Sequence, residues 1–248
     1  MNKKRLLTVM GEIAVWNPNK PIGGVLPALW YDASQLTGLA DDDLVSTWTD
    51  NGSMAKNLTS ALDARPKYKV NVFGTKPAIL FDAIDDYMAN AGIDFSATYA
   101  QSIFYVIKPV VKASINVVTD HGSLSTDGNY IYHGTDGKMS AVCLGDTGTS
   151  YHTHGSVIDG TGIYVSTLLN KAGDTDTCIV YVNGVTSGTP IIVNNTNAFG
   201  NRVFNVGKRA NNTGWFSGYI AEILIYKKLM SSAERLQVEK YLTNKYFT

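Results

Sequence analysis

From about residue 26 onward, apolar residues fall in short bursts separated by clusters of Gly, Asn, Asp and Thr. This is the pattern of strands joined by turns. Strands are predicted over residues 28–32, 44–49, 78–81, 87–89, 102–108, 114–119, 130–133, 138–144, 162–169, 177–182, 203–207 and 219–226. The sharpest turn signal is Tyr181-Val182-Asn183-Gly184-Val185, because Asn-Gly supplies the two positive-φ positions of a type I′ hairpin turn. The spacing changes to a helical one only at the C-terminus. There Ser231 and Glu234 form a capping-box pattern, and Val238, Tyr241, Leu242 and Lys245 follow on one face. Frequent strands without intervening helices predict an all-β sandwich or jelly roll with one C-terminal helix.

Composition narrows the reading. Charged residues make up 17% of the 248, below the usual quarter or so, so neutral polar groups must cover the surface. Lys+Arg and Asp+Glu are both 21, and no basic stripe runs along the chain; a nucleic-acid partner is not expected. No apolar run is long enough to span a membrane. Cys143 and Cys178 are too few for a disulfide framework and read as buried thiols or a single bridge. At the N-terminus, Lys3, Lys4 and Arg5 precede an apolar run as in a signal peptide, but Glu12 interrupts it. Residues 1–25 therefore read as an arm of the mature protein. Leu6, Leu7, Val9, Ile13, Val15 and Trp16 are its anchoring side chains, and residues 17–25, rich in Pro and Gly, form its linker to a single domain over 26–248.

A set of ordered segments goes further. It comprises Leu29-Trp30-Tyr31-Asp32-Ala33-Ser34, Val45-Ser46-Thr47-Trp48-Thr49-Asp50, Pro66-Lys67-Tyr68, Lys76-Pro77-Ala78-Ile79-Leu80-Phe81-Asp82, Asp85-Asp86-Tyr87-Met88, the Tyr181–Gly184 turn, and the stretch from Phe216 to Tyr226 before the capped helix. In order and spacing this set resembles the concanavalin A-like, laminin-G-like jelly-roll superfamily. The resemblance implies two curved antiparallel sheets packed face to face, with Trp30 and Trp48 in the core. It leaves function open, since such domains include carbohydrate-binding modules, adhesion domains, glycosidases, lyases and viral structural proteins.

Enzymes of this fold need paired groups. Glycosidases use two carboxylates flanking the scissile bond, yet Glu12, Glu222, Glu234 and Glu239 are the only glutamates and none is suitably spaced. The lyase motifs are absent. Asp82, Asp85 and Asp86 cluster, but Asp82 and Asp85 read as acceptors for turn N–H groups. Glu222, in register with Ile220 and Leu224, is expected to point into a packed layer, paired with Arg235 or bonded to backbone near the helix. His152 and His154 have the i, i+2 spacing that lets two imidazoles share a metal if the segment is a strand. Residues 146–151 read instead as loop, which leaves both histidines weak candidates. No cofactor is implied by the residues; the resemblance brings calcium into view, and loops 174–176 and 194–197 have suitable oxygen donors without an ordered ligand spacing.

For sugar, Trp215, Tyr130, Tyr132 and Tyr151 are the candidates, because aromatic faces in polar surroundings stack on pyranose rings. The expectation is a non-enzymatic virion protein of a bacteriophage. It would be a head decoration, head fibre or tail-associated subunit, fixed by its arm to capsid or tail proteins. It is expected as a homo-oligomer in contact with host-surface polysaccharide. The alternatives, in order, are a carbohydrate-binding or adhesion module of a secreted bacterial protein, and a polysaccharide hydrolase or lyase.

Overall fold

A computed structural model describes residues 16–110, 114–145, 148–158, 160–170, 177–188 and 197–248. Its elements in chain order are β1 (Leu29–Asp32), β2 (Thr47–Trp48), β3 (Leu58–Thr59), β4 (Lys67–Phe73), β5 (Lys76–Asp82), β6 (Met88–Asp94), β7 (Ala100–Pro109) and β8 (Asn116–His121). They continue with β9 (Asn129–His133), β10 (Met139–Leu144), β11 (Thr149–Thr153), β12 (Ile163–Asn170), β13 (Thr177–Val182), β14 (Asn201–Val206), β15 (Ser217–Tyr226) and the helix α1 (Ser232–Tyr246). The strands form two antiparallel sheets. One runs β13-β12-β7-β15-β5-β4, with β1 also paired to β15; the other runs β11-β10-β9-β8-β14-β6-β3-β2. This is the expected jelly-roll sandwich.

The two sheets enclose one core, in which Trp48, Tyr31, Tyr105, Phe81 and Phe204 are almost fully buried. A second apolar layer lies on the outer side of the first sheet. Here Val238, Leu242 and Tyr246 of α1 pack on Trp30, Phe104, Val106, Leu224 and Tyr226. That sheet is thus covered on both faces. Double coverage explains why Ile103–Ile107 and Ile220–Tyr226 read as unbroken apolar runs instead of alternating ones. The helix begins as expected: the Ser231 hydroxyl accepts from Glu234 N, and the Glu234 carboxylate accepts from Ser231 N.

The Asn183-Gly184 turn also forms as expected, with φ of 49° and 76° and a closing bridge between Val182 and Val185. Other details depart from the sequence reading. Residues 149–153 are strand β11 rather than loop, and β3 and β4 are strands that the pattern did not announce. Of the apolar arm residues only Trp16 is described; Leu6, Leu7, Val9, Ile13 and Val15 lie outside the described residues. Trp16 sets its ring edge-on to Tyr241 of α1, with centroids 5.9 Å apart. Ile22, in the Pro/Gly stretch, is buried in the layer beneath the helix and bridges to Val25. Residues 16–25 therefore include packed positions rather than only linker, because Trp16 and Ile22 are apolar side chains that the helix layer covers. Cys143 and Cys178 are buried free thiols.

Candidate functional site

With the helix over one sheet, the outer face of the other sheet carries a group of aromatic side chains. Its residues follow from strand alternation. On β9, Ile131 joins the inter-sheet core, so Tyr130 and Tyr132 point outward. On β10, Met139, Ala141 and Cys143 face the core, leaving Ser140 and Val142 outward. The register sets Tyr130 opposite Val142, and Val142 opposite Tyr151 of β11. One transverse row therefore carries Tyr151, Val142, Tyr130, Asp120 and Asn205. Directly opposed residues of antiparallel strands share a face, so three of the four sequence candidates for sugar contact belong to one surface.

Tyr130 and Tyr132 stack, with centroids 5.6 Å apart and ring planes 27° from parallel. Tyr151 stands two strand spacings from Tyr130, about 10 Å away. Tyr151 is 44% exposed, while Val142 between them is 5% exposed. The next row adds Tyr132, Ser140 and Thr153, the last two joined through their hydroxyls at 2.8 Å. The result is an aromatic platform with hydroxyls beside it.

Loop 207–214, between β14 and β15, folds over one side of this face. Asp120 is its anchor: one carboxylate oxygen accepts from Ala210 N (3.2 Å) and the other from Ser123 N (3.2 Å). Gly214 (φ 62°) lets the loop lie against β8; a Cβ there would come within 2.9 Å of Val117 Cγ2. Arg209 lies over the Tyr130 ring, 4.6 Å from its centroid, and donates through Nε to Ser123 Oγ (3.1 Å). Lys208 is buried and goes elsewhere. Its ammonium sits 3.4 Å from the Tyr87 centroid, donates to Asn212 Oδ1 (2.7 Å), and burial lowers its pKa. Trp215, the fourth candidate, is half-buried and makes its ring contacts with Tyr87 and Lys208 rather than with the three tyrosines. Burial raises the pKa of Tyr130.

A profile of the concanavalin A-like lectin/glucanases superfamily matches residues 83–234. The chain belongs to this superfamily. Its fold is similar to the botulinum neurotoxin serotype D ligand-binding domain solved with N-acetylneuraminic acid (TM-score 0.64, 9% identity, 87% of this chain and 50% of that one). It is also similar to the botulinum neurotoxin serotype G binding domain (TM-score 0.64, 9% identity, 88% and 51%). A third similar structure is Trypanosoma rangeli sialidase with sialic acid (TM-score 0.61, 12% identity, 91% and 34%). This chain thus spans about half the length of the toxin domains and about a third of the sialidase. No curated protein matches it in sequence.

In a superfamily of lectins and glucanases, the arrangement of carboxylates bears on which kind of member this is. Two do stand together, Asp32 of β1 opposite Glu222 of β15, but beneath α1. Lys245 Nζ donates to Asp32 Oδ2 (2.6 Å) and Glu222 Oε2 (2.8 Å). Trp30 Nε1 (2.8 Å), Tyr241 OH (3.0 Å) and Tyr246 OH (2.8 Å) complete the shell around Glu222. Burial, with Asp32 alongside, pushes the Glu222 carboxyl up from its ordinary value. Glu222 does face a packed layer as expected, but its partner is Lys245; Arg235 pairs instead with Glu239, one helical turn on. The reason is helix register, which points Tyr241, Lys245 and Tyr246 at β15. This pair acts as a latch between helix and sheet.

The Asp82, Asp85 and Asp86 carboxylates lie within 4.8 Å of one another on the turn after β5. Asp82 accepts from Ile84 N (2.8 Å), as a turn residue should. Asp86, rather than Asp85, provides the second side-chain acceptor, from Asp82 N (2.9 Å). Burial, then its two neighbours, raises Asp86 to about 6. Three hard oxygen donors suit calcium chemistry; of the loops 174–176 and 194–197, all residues but Asn197 lie outside the described ones.

His152 and His154 are both buried on or beside β11. Each Nδ1 accepts a backbone N–H, from Val180 (3.1 Å) and Ser156 (3.2 Å) respectively. The His152 ring, whose pKa burial lowers, then carries its proton on Nε2, the atom a metal would need bare. His152 thus satisfies backbone of β13 and His154 that of the turn after β11. A pocket of about 160 Å³, lined by Pro18, Asn19, Leu26, Asn51 and Ser53 among others, has no ionisable lining group. It is smaller than usual ligand cavities.

Proposed function

We propose that this chain is a non-catalytic display domain of a bacteriophage virion whose tyrosine face contacts glycans. The observation that carries the glycan reading is the shared outer face of Tyr130, Tyr132 and Tyr151, with Tyr151 exposed, the other two half-buried, and hydroxyls beside them. The non-catalytic part is supported by the state of the carboxylates. Among the described residues the facing pair, Asp32 and Glu222, is sealed under α1 and clamped by Lys245. Solved structures of similar fold hold N-acetylneuraminic acid or sialic acid. The test is a glycan array with the wild-type protein: binding is expected, with no new reducing ends released. A silent array from folded protein, or turnover of the bound glycan, overturns the reading.

The virion part rests on the sequence of the arm, in which basic Lys3, Lys4 and Arg5 precede apolar Leu6, Leu7, Val9, Ile13 and Val15. Such a segment can insert side chains or add a strand to a neighbouring capsid or tail protein, and symmetric homo-oligomers suit that setting. Deleting residues 1–15 keeps Trp16 and Ile22 in place, so the domain is expected to fold and to fail to join particles. Unchanged incorporation would contradict the anchor. The secreted adhesion alternative uses the same tyrosine face and predicts extracellular protein with no particle association.

A further inference from the structure

Arg209 differs from the other cations near the platform. Arg202 forks onto Asp127, with bonds of 2.8 and 3.0 Å, and Lys208 is held between Tyr87 and Asn212. Arg209 takes part in none of the ion pairs among the described residues. Its Nε is spent on Ser123 Oγ, and no acceptor among those residues engages Nη1 or Nη2. The guanidinium is nevertheless placed. It lies on the Tyr130 ring, and its own backbone closes a turn, donating from Arg209 N to Thr213 O (2.9 Å) and accepting from Asn212 N (3.0 Å).

We infer that Arg209 is a specificity residue that selects sugars bearing a carboxylate, such as uronic or nonulosonic acids, for the tyrosine face. The inference rests on the glycan reading above and names the ligand class. A sugar stacked over the tyrosines would bring a ring carboxylate to the edge of the platform, where two in-plane N–H donors wait. A planar fork takes a carboxylate in two parallel hydrogen bonds, a geometry that a lysine ammonium cannot offer. Asp120, which anchors the same loop, is fully buried with both oxygens accepting backbone N–H bonds. It positions the loop, and Arg209 beside Tyr130 is the partly exposed cation of that loop. Because the turn and the ring already fix the guanidinium, little ordering is lost on binding.

The test pairs each acidic probe with its neutral parent: sialyllactose against lactose, and a glucuronic acid–terminated disaccharide against its glucose-terminated form. The wild-type protein is expected to bind the acidic member about tenfold more tightly, with the gain shrinking as salt rises. Arg209→Gln should erase the preference while keeping the neutral affinity; Arg209→Lys should restore only part of it. If Arg209→Gln keeps the full preference, the carboxylate role is wrong. Binding of neutral sugars alone would sink this inference and leave the glycan reading standing, whereas silence toward every probe would sink both.

Discussion

Replacing Lys245 by Met is expected to cost about 3 to 5 kcal/mol of folding stability at neutral pH, because it leaves two buried carboxylates without their cation. The ammonium bridges Asp32 and Glu222, whose side chains are fully buried. Tyr241, Tyr246 and Trp30 still donate to Glu222 after the change, but neutral donors cannot offset the charge. The pH dependence has a definite sign. Burial holds the folded-state pKa of Glu222 above the ordinary value of 4.5, so folding favours its protonated form. The stability linked to this group is complete below the ordinary value and falls as pH rises through the raised one. Removing Lys245 raises that pKa further. The deficit of Lys245→Met should therefore shrink as pH is lowered from 7 toward 5, and Glu222→Gln on the same background should recover most of it. Denaturant titrations of the three variants at several pH values read this directly. A loss below 1 kcal/mol, or one insensitive to both pH and Glu222→Gln, would mean that the latch does not hold the helix.

The second large effect concerns binding. Tyr132→Ala and Tyr151→Ala should each weaken glycan affinity by about thirtyfold, the loss of a buried aromatic anchor of about 2 kcal/mol. Together they should abolish detectable binding. Both residues lie on the outer face, so stability should change by no more than about 1 kcal/mol. Tyr87→Ala and Trp215→Ala serve as controls. They disturb the cage around Lys208, and glycan affinity should stay within a few-fold of wild type. If Trp215 proves the dominant residue instead, the contact surface is at that cage and not on the sheet.

What could be read from the sequence was local. Asn183-Gly184 and the Ser231/Glu234 box form because their signals are complete within a few residues. The alternation Tyr130-Ile131-Tyr132 already places two tyrosines on one face. Strand β11 was hidden because its inward-facing residues, Ser150 and His152, are polar, so no apolar alternation betrays it. Tyr151 joined the platform only once β11 was paired with β10. β4 was hidden for a different reason: its pairing breaks between Lys69 and Phe73, where Asn71 takes φ 55°. The latch was out of reach because its members come from β1, β15 and α1. A lone acid in an apolar strand demands a cation, but only the register of the helix shows that Lys245 rather than Arg235 supplies it. Arg209 carried a weak signal, a cation in a polar turn shortly before Trp215; its seat on Tyr130 depends on Asp120, some 90 residues away.

The central claim is that one face of the sandwich holds sugars and leaves them intact. A tyrosine-selective NMR titration with a glycan identified on the array addresses it in a single sample. Resonances of Tyr130, Tyr132 and Tyr151 should move together and saturate, while the anomeric signals of the sugar stay unchanged for many hours. Movement confined to other tyrosines, or the growth of new reducing-end signals, would contradict the account.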